Sequence, residues 1–102
     1  MKCIAVVRFK PKASPTPEQY RAGLEAVMPT YENAAGLNRK YFAANENGGA
    51  GIYEWQSREQ AEDFYDDAWR AGMSGMADNL TVELLQVNAL LDNEAGTVDF
   101  QT

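Results

Sequence analysis

Two segments of the chain carry apolar side chains at both odd and even positions. They are residues 2–9, KCIAVVRF, and residues 81–92, TVELLQVNALLD. Successive side chains of a strand point to opposite faces, so apolar groups at both parities are typical of a strand that is covered on both sides. We therefore predict strands over these two segments, and each of them needs a cover on both faces.

Two further segments have apolar positions at helical spacing. The first follows Thr16, which can act as an N-cap, and Gln19, which can close a capping box around Pro17 at the first helical position. Pro29 in this helix predicts a kink or an early end, because proline lacks the backbone N–H. Residues 57–60, SREQ, form a second capping box. The stripes are Tyr20, Leu24, Val27, Met28 and Tyr31 in the first helix, and Ala61, Phe64, Tyr65, Ala68 and Trp69 in the second.

The segment between the two helices predicts a hairpin. Residues 37–45, LNRKYFAAN, and residues 51–57, GIYEWQS, have the aromatic and β-branched content of strands. The turn signal Asn47-Gly48-Gly49 lies between them. After the second helix, residues 71–79 contain two glycines and are predicted to be a loose connection.

The predicted order β-α-β-β-α-β is that of a ferredoxin-like α+β fold, a four-stranded antiparallel sheet with two helices on one face. We predict a single domain over residues 1–102 with an extended tail from about residue 89. The helices cover one face only, and monomers rarely expose an apolar patch of more than a few hundred Å². We therefore expect a homodimer, related by a two-fold axis, that forms a dimeric α/β barrel around a cavity for a small apolar or aromatic ligand.

Composition narrows the classes of function. The formal net charge is −6 and the nine Lys and Arg residues are scattered, whereas binding to nucleic acids or anionic membranes needs clustered basic side chains. Neither is a predicted partner. The N-terminus lacks signal-peptide features and Cys3 has no second cysteine to pair with, so the predicted localisation is cytoplasmic. The absence of histidine excludes His-dependent nucleophile pairs, histidine metal ligands and a proximal haem histidine.

The central third of the chain carries a family resemblance. Gly36-Leu37, the turn Gly48-Gly49-Ala50-Gly51 and the Gly-x-Tyr-x-Trp pattern of residues 51–55 follow one another there. This order resembles the YdhR-like mono-oxygenases, a branch of the dimeric α/β-barrel superfamily that includes the antibiotic biosynthesis mono-oxygenases. The resemblance implies a cofactor-independent mono-oxygenase that uses no metal, haem or flavin. Relatives that degrade haem use a histidine ligand, which this chain lacks.

Cofactor-independent oxygenation needs a dry pocket, a group that transfers a proton, and dipoles that stabilise an anion. If the face of the third strand that carries Tyr53 and Trp55 lines the cavity, an aromatic or polyketide-like substrate can stack there. Arg39 can then hold the developing oxyanion, while Tyr53 or Tyr41 passes a proton. The predicted catalytic residues are therefore Tyr53 and Arg39, and the predicted substrate-binding residues are Trp55, Tyr41, Trp69 and Tyr65.

These residues also have structural interpretations. Aromatic side chains on strands commonly belong to the core, Tyr65 and Trp69 have the spacing of helix–sheet packing, and Arg39 is typical of a solvated strand charge. Two other functions remain open. One is a dimer that binds a small ligand without catalysis, and the other is a cofactor-free isomerase or cyclase that uses a tyrosine or Glu54 as its acid or base.

Overall fold

A computed structural model describes residues 1–101, which contain six strands and three helices. In chain order these are β1 (Cys3–Pro11), α1 (Pro17–Glu32), β2 (Leu37–Asn45), β3 (Gly48–Trp55), α2 (Arg58–Phe64), α3 (Asp67–Met76), β4 (Ala77–Gln86), β5 (Ala89–Asp92) and β6 (Thr97–Phe100). The first four strands form an antiparallel sheet in the order β2-β3-β1-β4, and β5 and β6 form a separate hairpin. The predicted ferredoxin-like α+β fold is confirmed.

The strand register divides the sheet into two faces. In β1 and β3, Ala5 lies opposite Tyr53, whereas Ile4 lies opposite Glu54. Neighbours across a ladder share a face, so these two pairs point to opposite sides of the sheet. We call the side of Ala5 and Tyr53 the helix face, because residues of α1, α2 and α3 contact the core there. The side of Ile4 and Glu54 is the open face.

The core lies on the helix face. Its buried members come from β1, β3, α2 and the residue after α2, and they are Cys3, Ala5, Val7, Tyr53, Trp55, Ala61 and Tyr65. Aromatic rings contribute much of it, and each buried ring removes roughly 150 to 250 Å² of surface from water. Burial also raises the pKa of the Cys3 thiol, so this cysteine acts as a small hydrophobic residue.

Helix α1 begins as predicted. The Thr16 hydroxyl accepts a hydrogen bond from the backbone N–H of Gln19, and the Gln19 side chain accepts one from the N–H of Thr16. The helix continues past Pro29 to Glu32, so the predicted early end is wrong. Proline removes a single backbone bond here, and the Asn33 side chain donates a 2.8 Å hydrogen bond to the Pro29 carbonyl at the end of the helix.

The predicted second helix is two helices, α2 and α3. The chain leaves the helical conformation at Tyr65, and Asp66 then caps α3 by accepting a 2.8 Å hydrogen bond from the backbone N–H of Trp69. Helix α3 runs through Gly72 and Gly75 to Met76. The predicted loose connection over 71–79 is therefore wrong over its whole length, because the Asp66 cap starts a helix that tolerates both glycines and strand β4 begins directly after it, at Ala77.

The C-terminal tail also differs from the prediction. The fourth strand ends at Gln86, and the residues after Asn88 fold back as the β5–β6 hairpin. In the hairpin turn, Asp92 Oδ1 accepts hydrogen bonds from two backbone N–H groups, and Gly96 adopts a φ of 71°. Within residues 1–101, every helix is too short or too polar to cross a membrane.

Candidate functional site

Four of the predicted site residues pack together on the helix face, three of them buried in the core and Trp69 partly buried against it. Tyr53 is 2% exposed and Trp55 is 0% exposed, and their rings are stacked with centroids 6.1 Å apart. The Trp55 indole N–H donates a 3.1 Å hydrogen bond to the Tyr65 hydroxyl, and the rings of Tyr65 and Trp69 meet edge to face at 4.9 Å. Burial raises the pKa of the Tyr53 and Tyr65 hydroxyls. These rings therefore build the helix face.

The predicted role of Tyr53 and Trp55 in substrate contact requires that their face of β3 lines the cavity. This prediction is corrected, because α2 and α3 cover that face. Ile52 and Glu54, the alternate residues of β3, are the ones that point away from the helices. The arrangement matches the structural interpretation of the four aromatic residues as core.

Arg39 and Tyr41 share a face, as their parity predicts, and the structure shows that it is the open face. Arg39 is opposite Glu54 and Tyr41 is opposite Ile52 in the pairing of β2 with β3. The Arg39 side chain is 58% exposed and Tyr41 is 60% exposed. Both side chains are therefore free to meet a ligand on this face.

Glu54 is a buried carboxylate on the same face. Glu54 is 6% exposed, and among residues 1–101 it is the one charged residue that is buried. Its Oε2 atom lies 3.9 Å from Arg39 Nε and 4.0 Å from Lys2 Nζ. Asn38 Nδ2 donates a 2.9 Å hydrogen bond to the same oxygen. A buried carboxylate needs such partners because its transfer out of water is costly.

A β-bulge in β2 aims two consecutive side chains at this carboxylate. The pairing of β2 with β3 shifts by one residue between Leu37 and Arg39, so Asn38 is the extra residue. In a regular strand Asn38 and Arg39 would point to opposite faces. With the bulge, both reach Oε2 of Glu54. Bulges often re-aim side chains in this way beside functional sites.

A cleft of about 420 Å³ lies between the open face and the β5–β6 hairpin. This size falls in the range of small-molecule sites. Its walls combine apolar groups with the charges of Arg39 and Glu54, and acidic groups of the hairpin turn close one end. The lining residues are Ile4, Arg39, Tyr41, Ile52, Tyr53 and Glu54 from the sheet, and Leu90, Leu91, Asp92, Asn93 and Glu94 from the hairpin.

A second cluster lies on the helix face around Lys40. Its Nζ atom is 3.4 Å from the ring centroid of Tyr31, 3.8 Å from that of Phe42 and 4.4 Å from that of Tyr53. Burial lowers the pKa of Lys40 to about 7. No pattern along the sequence indicates this cluster, because the three rings come from α1, β2 and β3 and meet only in the fold.

Within residues 1–101, no group of three or more Cys, Asp or Glu side chains is arranged to hold a metal ion. The acidic side chains of Glu54, Asp92 and Glu94 border the cleft without forming such a group. The absence of a cofactor remains a prediction of the family resemblance.

Comparison with known proteins shows the fold. No protein-family model matches the chain, and no curated protein matches it. Among solved structures, SnoaB of Streptomyces nogalater, a cofactor-independent oxygenase, aligns with a TM-score of 0.65 at 10% identity over 88% of this chain and 96% of its own.

Two other solved structures agree with this result. Rv0793 of Mycobacterium tuberculosis aligns with a TM-score of 0.59 at 18% identity, over 90% of this chain and 97% of its own. A dimeric protein of unknown function and ferredoxin-like fold from Bacteroides fragilis aligns with a TM-score of 0.56 at 12% identity, over 84% of this chain and 96% of its own. These likenesses confirm the ferredoxin-like fold of the chain.

Proposed function

We propose that this chain is a cofactor-independent mono-oxygenase that acts on a small aromatic or polyketide-like compound in the cleft on the open face. The observation that carries the proposal is Glu54, a buried carboxylate that lies between Lys2 and Arg39 at the wall of this cleft. A buried ionisable group in a cleft is a candidate for catalysis, because burying it costs free energy that a purely structural position does not require.

Glu54 supplies the proton acceptor that the reaction needs. A phenol or an anthrone that loses a proton becomes an electron-rich anion, which reduces oxygen itself. In the overall reaction of an anthrone, a CH₂ group and O₂ become a C=O group and water, so atoms and electrons balance without a cofactor. The contacts from Lys2, Asn38 and Arg39 all engage Oε2. The other oxygen, Oε1, is therefore the acceptor that we assign to the substrate proton.

Arg39 and Tyr41 have the properties of groups that hold such a substrate. Arginine has five N–H donors, and the exposed guanidinium of Arg39 has donors left to stabilise the oxyanion that forms beside Glu54. The exposed ring of Tyr41 lies next to Arg39 on the same face and offers a flat surface for an aromatic substrate. The apolar side chains of Ile4 and Ile52 complete this wall.

The proposal includes a homodimer that encloses the cleft. Large apolar side chains are exposed on the open face and on the hairpin, and each Å² of this surface costs about 25 cal/mol in water. A second copy of the chain is the cover that we propose, and it would also exclude water from the reaction. The protein from Bacteroides fragilis with this fold is described as dimeric. The exposed residues are Tyr41, Leu85, Leu91, Val98 and Phe100.

The solved structures support the same class of function. SnoaB has this fold and is a cofactor-independent oxygenase. At 10% identity the likeness carries the fold alone, so the assignment of the activity to this chain is ours and rests on Glu54 and the cleft.

A second candidate function has the same observation in its favour. A carboxylate base beside a guanidinium also suits a cofactor-free isomerase or cyclase, which transfers a proton without consuming oxygen. Glu54 would abstract the proton and Arg39 would stabilise the enolate in both cases. Oxygen consumption therefore separates the two candidates.

The test measures oxygen uptake with anthrones and quinols as substrates. The wild-type protein is expected to consume oxygen above the buffer rate, and Glu54→Gln to lose at least about a hundredfold of that activity, as expected for removal of a general base. Glu32→Gln, which changes an exposed carboxylate at the end of α1 on the other side of the sheet, is the matched control and should retain the activity.

The remaining outcomes of this test are distinct. If the wild-type protein consumes no oxygen with any of these substrates, the oxygenase proposal is refuted. Product formation without oxygen consumption would support the isomerase or cyclase. Ligand binding without any product would support a non-catalytic binder. Light scattering is expected to give twice the mass of the 11.3 kDa chain, and a stable monomer at micromolar concentration would refute the dimer.

A further inference from the structure

We propose that Lys40 is a carbonyl-binding amine, whose Nζ forms a Schiff base with small aldehydes at a site on the helix face, separate from the cleft. Three aromatic rings, of Tyr31, Phe42 and Tyr53, surround Nζ at 3.4 to 4.4 Å. The cleft with Glu54 lies on the opposite side of the sheet. The two sites have Tyr53 in common, but the groups proposed to react, Lys40 and Glu54, are different and can be tested independently.

The sheet holds Lys40 in this position. Because of the bulge at Asn38, Lys40 lies opposite Tyr53 on the helix face. Gly51 makes room for it, because a Cβ atom at that position would stand 3.3 Å from Lys40 Cε and 2.8 Å from Tyr53 Cε1. Strand β2 is an edge of the sheet, and Lys40 is only partly buried. The proposal places the approach of a small molecule to the amine at this edge.

The amine is poised to react as a nucleophile. Within residues 1–101, no carboxylate lies within 4.0 Å of Lys40 Nζ. Burial without such a partner lowers the pKa of Lys40 to about 7. About half of the amine is then neutral at pH 7, against roughly one part in 2,500 for an ordinary lysine. Only the neutral amine attacks a carbonyl carbon.

The aromatic rings select the kind of electrophile. The amine and an aldehyde form an imine and release water, and protonation of the imine gives an iminium cation. The π faces of the three rings attract a cation, so they stabilise the iminium ion in the place of the ammonium group. Reaction with carbon dioxide would give a carbamate anion, which the same rings and the lack of water disfavour. Aromatic aldehydes gain further contact with the rings of Tyr31 and Phe42.

The experiment traps the imine by reduction. The protein is incubated at pH 7 with benzaldehyde and cyanoborohydride, and the benzyl adduct on each lysine is quantified by peptide mass spectrometry. We expect Lys40 to be labelled at least about tenfold faster than Lys2, Lys10 or Lys12, because of its larger neutral fraction. The rate at Lys40 should level off above about pH 7, where most of its amine is neutral.

Two variants test the roles of Lys40 and of the three rings around it. Lys40→Arg keeps a cation among the rings and should lose the dominant adduct, whereas Lys10→Arg should not change it. Phe42→Leu removes one π face and should lower the labelling rate of Lys40 severalfold, with circular dichroism and melting as the check on folding. The proposal is overturned if Lys40 is labelled no faster than the other lysines. A carbamate signal at Lys40 with ¹³C-bicarbonate, in the absence of an aldehyde adduct, would also overturn it.

Discussion

Asn38 donates a hydrogen bond from its side-chain amide to Oε2 of Glu54 at 2.9 Å. Asn38 is the bulged residue of β2, and Glu54 is the buried carboxylate of β3. The bulge therefore connects an irregularity of the backbone to the orientation of the group that we assign as the base. Lys2 and Arg39 approach the same oxygen, so these three contacts of Glu54 all involve Oε2.

Replacement of Asn38 by alanine is expected to destabilise the fold by about 1 to 2 kcal/mol, because a buried charged acceptor loses a hydrogen bond. Urea denaturation measures this loss. Gln56→Ala is the control, because Gln56 accepts a 3.2 Å hydrogen bond from the same amide but is exposed. Its loss should stay within about 0.5 kcal/mol. Equal losses in the two variants would contradict a specific role of the bond to Glu54.

Trp55 is expected to behave as a core residue. Trp55→Ala should reduce the free energy of unfolding by about 3 to 5 kcal/mol, because it leaves a cavity beneath α2. Tyr65→Phe removes only the acceptor of the 3.1 Å bond from the Trp55 indole and should cost about 1 to 3 kcal/mol. If Trp55→Ala instead abolished ligand binding with unchanged melting, Trp55 would be a site residue.

Gly51→Ala is expected to destabilise the protein by about 1 to 3 kcal/mol, since the added Cβ would overlap the Tyr53 ring and press on Lys40. Thermal unfolding measures the effect. Gly72→Ala is the matched control, because nothing lies within 4 Å of a Cβ there and the residue is inside α3. Alanine should stabilise that helix by about 0.5 to 1 kcal/mol. A neutral Gly51→Ala would show that the two side chains move aside without cost.

Lys40 should make stability depend on pH. Its pKa is about 7 in the folded protein and 10.5 when unperturbed, so between these values the unfolded chain binds more protons than the folded chain. The free energy of unfolding therefore rises with pH in this window, by at most about 1.4 kcal/mol per unit. Attraction of the ammonium group to the three rings reduces that slope.

The measurement compares the wild-type protein with Lys40→Met by urea denaturation between pH 6.5 and 9.5. The free energy of unfolding of the wild-type protein should increase relative to that of Lys40→Met as the pH rises. Lys10→Met, which changes an exposed lysine, should show the same pH dependence as the wild type. Parallel curves for the wild type and Lys40→Met would contradict the lowered pKa of Lys40.

The sequence predicted the order of the elements because that order depends on local signals. The capping box at Thr16, the hairpin turn around Gly48 and the two-faced apolar pattern of β1 all act over a few residues. The break between α2 and α3 is also local, but it depended on Asp66 as a cap inside a continuous apolar stripe. The stripe alone predicts one helix there.

The site depended on relationships between distant residues. Both faces of β3 carry large apolar groups, Ile52 on one and Tyr53 on the other, so periodicity did not decide which face the helices cover. That choice placed Tyr53 and Trp55 in the core and left Arg39 and Tyr41 on the open face.

The sequence by itself thus determined the ferredoxin-like order, the starts of α1 and α2 and the shared face of Arg39 and Tyr41, because each follows from spacing along the chain. Only the tertiary structure decided the burial of Glu54 between Lys2 and Arg39 and the enclosure of Lys40 by three rings. The physical reason is that a one-residue bulge at Asn38 and the covering of one sheet face bring together groups from separate elements.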